Sequence, residues 1–127
     1  MPQYDSVHFD PPAPVVLVTI RNPLNGSAIS DVPMLLDTGA DVSLLPQSSV
    51  EELGIQIDSE ESYQLAAFDG ERSKSAAVSA HVHFMSKTFR GKFVLGRDPI
   101  GVIGRDILNC LSLTFDGREQ FWELDKP

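Results

Sequence analysis

Three dipeptides divide this chain into short segments, which limits it to folds built from short strands. Asn25-Gly26, Asp69-Gly70 and Asp116-Gly117 each favour the left-handed backbone of a β-hairpin turn. The segments between these turns are rich in β-branched residues, as in APVVLVTIRN from Ala13 to Asn22, and such composition is typical of strands. The pattern therefore predicts an all-β barrel or sandwich.

Helix is expected in only two brief stretches. PQSSVEEL (residues 46–53) begins with a proline suited to a first helical turn and is followed by Gly54, a typical helix stop. The second helix begins at about Asp106, within VIGRDILNCL. The strand KTFRGKFVLG is expected to be interrupted at Gly91. The 127 residues suit a single domain, 1–127, with a core from about residue 13 to residue 124.

Composition excludes several classes of function and suggests a compartment. The formal net charge is −8 and the sequence has no basic cluster, so a nucleic-acid partner is not expected. Cys110 is the only cysteine, which rules out an intrachain disulfide and favours a reducing compartment. The longest apolar run, Ala13 to Ile20, is too short for a membrane helix, and the first residues lack a signal-peptide pattern. We therefore expect a soluble, cytoplasmic protein with no membrane partner.

The most unusual stretch is LLDTGADVSLLP, residues 35–46, in which a polar triplet interrupts an apolar run. An Asp-x-Gly triplet is by itself a good turn former, because Asp bonds to nearby backbone and Gly accepts unusual dihedral angles. The apolar flanks, however, predict that this turn is buried. A buried carboxylate needs a partner or a function, so Asp37 is a candidate site residue.

LLDTGADVSLLP is followed about sixty residues later by VIGRDIL, and together they resemble the retropepsin-type aspartic proteases. The resemblance extends from about Val15 to Trp122, with the two motifs in the family's order and a candidate flap hairpin between them. It implies a closed β-barrel of the acid-protease type with one or two short helices, active as a symmetric homodimer. It also implies a polypeptide substrate, with no cofactor and no metal.

The resemblance also implies a role for each matching residue. The catalytic aspartate would be Asp37, and the loop would be completed by Thr38 and Gly39. The residues bordering the substrate would be Ala40 and Asp41, together with Phe68, Asp69 and Gly70 of the flap. The residues bracing the site would be Gly104, Arg105 and Asp106, with Asp41 as the expected ion-pair partner of Arg105.

This chemistry needs two carboxylates that share one proton and hold a water between them. The sequence contains one Asp-Thr-Gly triplet, so the second Asp37 must come from another copy of the chain. The implied function is aspartic endopeptidase. One alternative is a dimeric peptide-binding module with weak or no turnover, because Asp69, Glu71 and Arg72 crowd the flap tip with charge. The other is a monomeric barrel in which the triplet is only a turn.

Three further features have simpler interpretations. His81 and His83 lie two apart on a strand and therefore on one face, where a solvated surface is favoured over a metal site. Cys110 is expected to be a small buried residue. The last strand carries Phe121, Trp122 and Leu124, and this apolar surface could belong to the core of one chain, to a dimer interface, or to both.

Overall fold

The computed structural model describes residues 2–66 and 72–125, with the side chains of residues 58–66 and 72–75 left aside. This part of the chain forms nine strands and two short helices. In chain order they are β1 Val15–Arg21, β2 Ala28–Leu36, β3 Leu44–Pro46, α1 Gln47–Glu52, β4 Asp58–Ala66, β5 Arg72–Phe84, β6 Lys87–Gly96, β7 Gly101–Ile103, α2 Arg105–Leu108, β8 Leu113–Asp116 and β9 Phe121–Leu124. No helix of this part is long and apolar enough to cross a bilayer.

Six of these strands close into a barrel. Seven described strands form one sheet in the order β1-β2-β7-β3-β6-β5-β4, and β1 also pairs with β5. The β1–β5 pairing joins the two sides of the sheet, so that β4 extends from β5 outside the closed ring. The prediction of an all-β barrel with two short helices is therefore confirmed.

The core follows from the alternation of side chains along each strand. In β1, Val16, Val18 and Ile20 are buried while Leu17 between them is 59% exposed, as the two-residue period of a strand requires. Trp122 of β9 is also fully buried; its ring lies 6.0 Å from that of Phe84, and its indole nitrogen donates to the carbonyl of Val15. The last strand therefore contributes its largest side chain to the core of its own chain.

The turns and the long strand β6 differ in detail from the sequence expectations. The first hairpin closes through residues 22–27, and Gly26 has a φ of +76°. In the last hairpin Asp116 pairs with Phe121, so the loop spans residues 117–120 and Gln120, not the glycine, is left-handed. The predicted interruption at Gly91 is wrong: Gly91 pairs with Ala80, and β6 runs on without a break.

Two parallel strands bring distant parts of the sequence together. Met34, Leu35 and Leu36 of β2 pair with residues 101–103 of β7. At Gly101 an added Cβ would lie only 2.6 Å from the carbonyl oxygen of Leu44, so this close approach requires glycine. Because parallel strands end at the same side of a sheet, the residues that follow Leu36 and Ile103 lie next to each other.

Candidate active site

Asp37 is the first residue after β2, in a tight turn tied to β7. Its backbone nitrogen donates to the carbonyl of Ile103 at 3.0 Å, and its own carbonyl accepts from the nitrogen of Ala40 at 3.2 Å. The carboxylate oxygen Oδ1 accepts from the nitrogen of Gly39 at 2.8 Å. Among the described residues, the second oxygen, Oδ2, has no hydrogen-bond partner. One oxygen therefore holds the carboxylate in place, while the other is available to a ligand.

The triplet lies at the surface of the single chain. Asp37 is half-buried, and Thr38 and Gly39 are exposed, so the prediction of a buried turn is wrong for the isolated chain. The apolar neighbours explain the error. Leu36 and Leu45 are buried in the barrel, whereas the turn between them leaves the barrel at the end of its strands.

Arg105 connects this turn to the segment that follows β7. Its backbone nitrogen donates to the carbonyl of Ala40 at 2.8 Å, and its guanidinium Nη1 donates to the carbonyl of Thr38 at 2.7 Å. The expected ion pair with Asp41 is not formed within the single chain, because the guanidinium is directed at Thr38 instead. Asp41 is exposed, and none of the described residues pairs with its carboxylate.

Ser43 links the segment that follows β2 to the segment that follows β7, and the sequence analysis did not identify it. Its side chain is fully buried; the hydroxyl donates to Asp106 Oδ1 at 2.6 Å and accepts from the nitrogen of Gly104 at 2.9 Å. Asp106 also accepts from the backbone nitrogens of Ser43 and Ile107, at 3.0 Å and 2.9 Å. The only signal in the sequence is a small polar residue between Val42 and Leu44.

Gly104 allows the two segments to approach each other. A Cβ at this position would lie 2.6 Å from both the carbonyl carbon and the carbonyl oxygen of Val42, and 2.9 Å from the carbonyl oxygen of Ala40. All three atoms belong to the backbone, so a side chain cannot be accommodated by a rotamer change. Gly104 and Arg105 thus contact the turn that carries Asp37, and Asp106 contacts Ser43 shortly after that turn.

Comparison with known proteins agrees with this geometry. A family model described as aspartyl protease matches residues 17–107, a range that includes both the Asp37 turn and the Gly104–Asp106 segment. The chain belongs to the aspartyl protease family. Among solved structures it is similar to the EIAV protease in complex with the inhibitor HBY-793, with a TM-score of 0.58 and 21% identity over 84% of this chain and 91% of that one. This likeness shows a shared fold. Comparison with curated protein sequences gave no significant match.

The remaining residues predicted to border a substrate lie in two places. Ala40 is half-buried beside Asp37, and Asp41 is exposed next to it. Phe68, Asp69 and Gly70 lie outside the described residues, so their assignment to a flap stays a prediction.

Within the described residues, no hydrogen bond joins the other candidates to the Asp37 turn. His81 and His83 are on β5 in the barrel wall, and no group of three or more potential metal ligands occurs among the described side chains. Cys110 is exposed, so the expectation that it is buried is wrong. The buried positions at the end of α2 are taken by Ile107 and Leu108, which leaves Cys110 on the outer side of the following turn.

Proposed function

We propose that this chain is an aspartic endopeptidase that acts as a symmetric homodimer, with one Asp37 carboxylate from each copy. The observation that carries the proposal is the way in which the Asp37 carboxylate is held and exposed. Its carboxylate is fixed by one backbone hydrogen bond, has a second oxygen without a partner among the described residues, and lies at the surface of a braced double loop. Such a group is held in position and is still able to contact a substrate and a second carboxylate.

The chemistry follows from placing two such carboxylates together. At a separation of about 4 Å and an effective dielectric constant near 20, two negative charges repel by about 4 kcal/mol. The pair therefore keeps one proton across a wide acidic range. The ionised partner removes a proton from a bound water, the water attacks the peptide carbonyl carbon, and the protonated partner donates to the carbonyl oxygen.

We infer that a second copy supplies the second carboxylate, because the acidic residue of the bracing segment is already engaged. The segment that lies beside Asp37 within the same chain carries Asp106, but both Asp106 oxygens accept hydrogen bonds from Ser43, and Oδ1 also accepts from the nitrogen of Ile107. Asp106 is thus engaged in bracing the loop. The sequence has no second Asp-Thr-Gly triplet.

A surface suited to the second copy begins next to the catalytic turn. Thr38 and Arg105 line a groove of about 210 Å³ together with four apolar side chains, Leu108, Leu111, Leu113 and Phe115. Phe115 is 40% exposed, and β8, which carries it, pairs only with β9 among the described strands. An exposed apolar groove beside an unpaired strand edge favours association, and pairing here would bring the two Asp37 turns close to the two-fold axis.

The proposed substrate is an extended polypeptide bound in a cleft between the two copies. Ala40 and Asp41 follow the catalytic turn directly and would border this cleft. Phe68, Asp69 and Gly70 would close over the peptide from the β4–β5 hairpin and exclude water during the reaction.

Cleavage of a peptide library, read by mass spectrometry between about pH 4 and pH 7, tests the proposal. Wild type and the control Asp31→Asn, an equally isosteric change on β2, are expected to give the same cuts, and Asp37→Asn none. Cuts made by Asp37→Asn would contradict the assignment. If wild type and both variants fail to cut but bind peptides equally well, the chain is a peptide-binding module instead.

A further inference from the structure

Three basic side chains form a row across the outer wall of the barrel. Arg21 of β1 pairs directly with His81 of β5, and His81 pairs directly with Arg90 of β6. Side chains directly opposite each other in antiparallel strands point to the same face, with their Cβ atoms about 5 Å apart. Their neighbours Ile20 and Val82 are fully buried, so the row lies on the outside.

A second row, Thr19, His83 and Thr88, lies beside the first on the same face. His83 Nδ1 is 2.9 Å from the hydroxyl of Thr88, and Arg21 Nε donates to His83 Nε2 at 3.4 Å. Because arginine only donates hydrogen bonds, Nε2 acts as an acceptor and His83 is neutral. Burial lowers the pKa of His83, and the charges of Arg21, His81 and Arg90 lower it further.

The described side chains offer the basic row no acidic partner. Among the described side chains, no carboxylate lies within ion-pair distance of Arg21, His81 or Arg90, although acidic residues outnumber lysine and arginine by 18 to 10 in the sequence. Like charges directly opposite in a sheet are destabilising. A row of this kind, with no acidic partner among the described side chains, favours an anion from outside.

A groove continues from the basic row along β1; most of its lining is apolar, and Gln3 and Asp5 also line it. Leu17, Thr19 and Arg21 share the outer face of this strand, and Leu17 and Met85, which are 59% and 52% exposed, line a groove of about 440 Å³. At about 3.3 Å per residue, Leu17 and Arg21 are roughly 13 Å apart. An extended chain lying along this wall would therefore span the groove and the basic row with residues about four positions apart.

We propose that this wall binds an extended polypeptide segment that carries a phosphorylated side chain. The phosphate would lie on Arg21, His81 and Arg90, and an apolar residue about four positions away would fill the groove at Leu17 and Met85. A phosphate monoester carries a charge of about −1.5 to −2 near neutral pH, which matches two arginines better than one carboxylate does. The adjoining apolar groove favours a polypeptide over a free ion.

The basic row of this surface is separate from the proposed catalytic site. Arg21 is at the end of β1 that pairs with Ala28, whereas the other end, at Val15, pairs with Leu35 next to the Asp37 turn. Binding can therefore be tested without reference to cleavage.

The probe is acetyl-Leu-Gly-Gly-Gly-phosphoserine amide, titrated while the imidazole NMR signals of the histidines are followed. We expect saturable shifts at His81 and His83, and binding at least about tenfold weaker for the serine counterpart. Arg90→Gln should weaken binding about tenfold, and it should fold because Arg90 makes no hydrogen bond to a described residue. Arg118→Gln, in the β8–β9 loop, is the control and should bind like wild type.

Four comparisons can overturn the proposal. If the serine peptide binds as tightly as the phosphopeptide, the basic row does not hold the phosphate. The same conclusion follows if Arg90→Gln binds the phosphopeptide as tightly as wild type does. Inorganic phosphate binding as tightly as the phosphopeptide, or no loss when leucine in the probe is replaced by glycine, would show that the occupant is not a polypeptide lying in the groove.

Discussion

Replacing Ser43 with alanine removes the hydroxyl that joins the two loops of the candidate site. The change deletes a hydrogen bond to the Asp106 carboxylate and leaves the buried nitrogen of Gly104 without its acceptor. A hydrogen bond to a charged group contributes about 1.5–3 kcal/mol, and an unsatisfied buried amide costs about 1–3 kcal/mol. Because Asp106 keeps its bonds to two backbone nitrogens, we expect a loss of about 3 kcal/mol in the free energy of unfolding.

The assay is urea denaturation followed by the fluorescence of the buried Trp122, at one fixed protein concentration because dimerisation would shift the apparent stability. For a chain of 127 residues, 3 kcal/mol corresponds to a decrease in Tm of about 10 °C. Ser48→Ala is the matched control, since Ser48 is exposed on α1; it should stay within about 0.5 kcal/mol of wild type. A Ser43→Ala protein as stable as this control would refute the bracing role of the hydroxyl.

Four other changes follow from the same structure. Gly104→Ala should lower stability by about 2 kcal/mol or more because its Cβ would meet backbone at 2.6 Å, whereas Gly117→Ala, with open space around it, should not; urea denaturation compares the two. His83 has a lowered pKa, so wild type should lose stability as pH falls below the ordinary histidine value of 6.5, and His83→Gln should flatten this decline in thermal unfolding at each pH. Cys110 is exposed, so its thiol should react with a thiol reagent in the native protein, and Cys110→Ser should alter Tm by no more than 1–2 °C or so. Phe115→Asp should weaken dimerisation about tenfold or more in sedimentation experiments, and an unchanged dimer would place the interface elsewhere.

Local sequence patterns predicted which segments are strands but not how the barrel closes. The β-branched runs and the Asx-Gly dipeptides are local signals, and they located β1, β2 and the first and last hairpins correctly. The lengths of the loops were not predicted correctly. The left-handed residue that ends the last loop is Gln120 rather than a glycine, so the Asp-Gly dipeptide did not mark where that loop ends. Closure depends on the pairing of Arg21 with His81, a contact between distant residues that no local pattern contains.

The candidate site was likewise predicted only in part: most of its residues were identified from the sequence, and their contacts were not. The two motifs identified the residues that meet, because their order and spacing reflect the parallel pairing of β2 with β7. They did not identify the contacts, since the partner of Arg105 depends on which nearby acceptor its guanidinium reaches, here the carbonyl of Thr38 rather than Asp41. Ser43 was missed because a serine between apolar residues has the same appearance whether it is buried or exposed.

Subunit mixing tests the central claim most directly, namely that the two catalytic carboxylates come from two copies of Asp37. Wild type is mixed with increasing amounts of Asp37→Asn, allowed to exchange subunits, and assayed on a peptide that wild type cleaves. With three variant chains per wild-type chain, random pairing leaves about a quarter of the wild-type chains in wild-type dimers, so cleavage should fall to about that fraction. Cleavage that stays constant at every ratio would show that one chain holds the complete catalytic machinery, and would contradict the account.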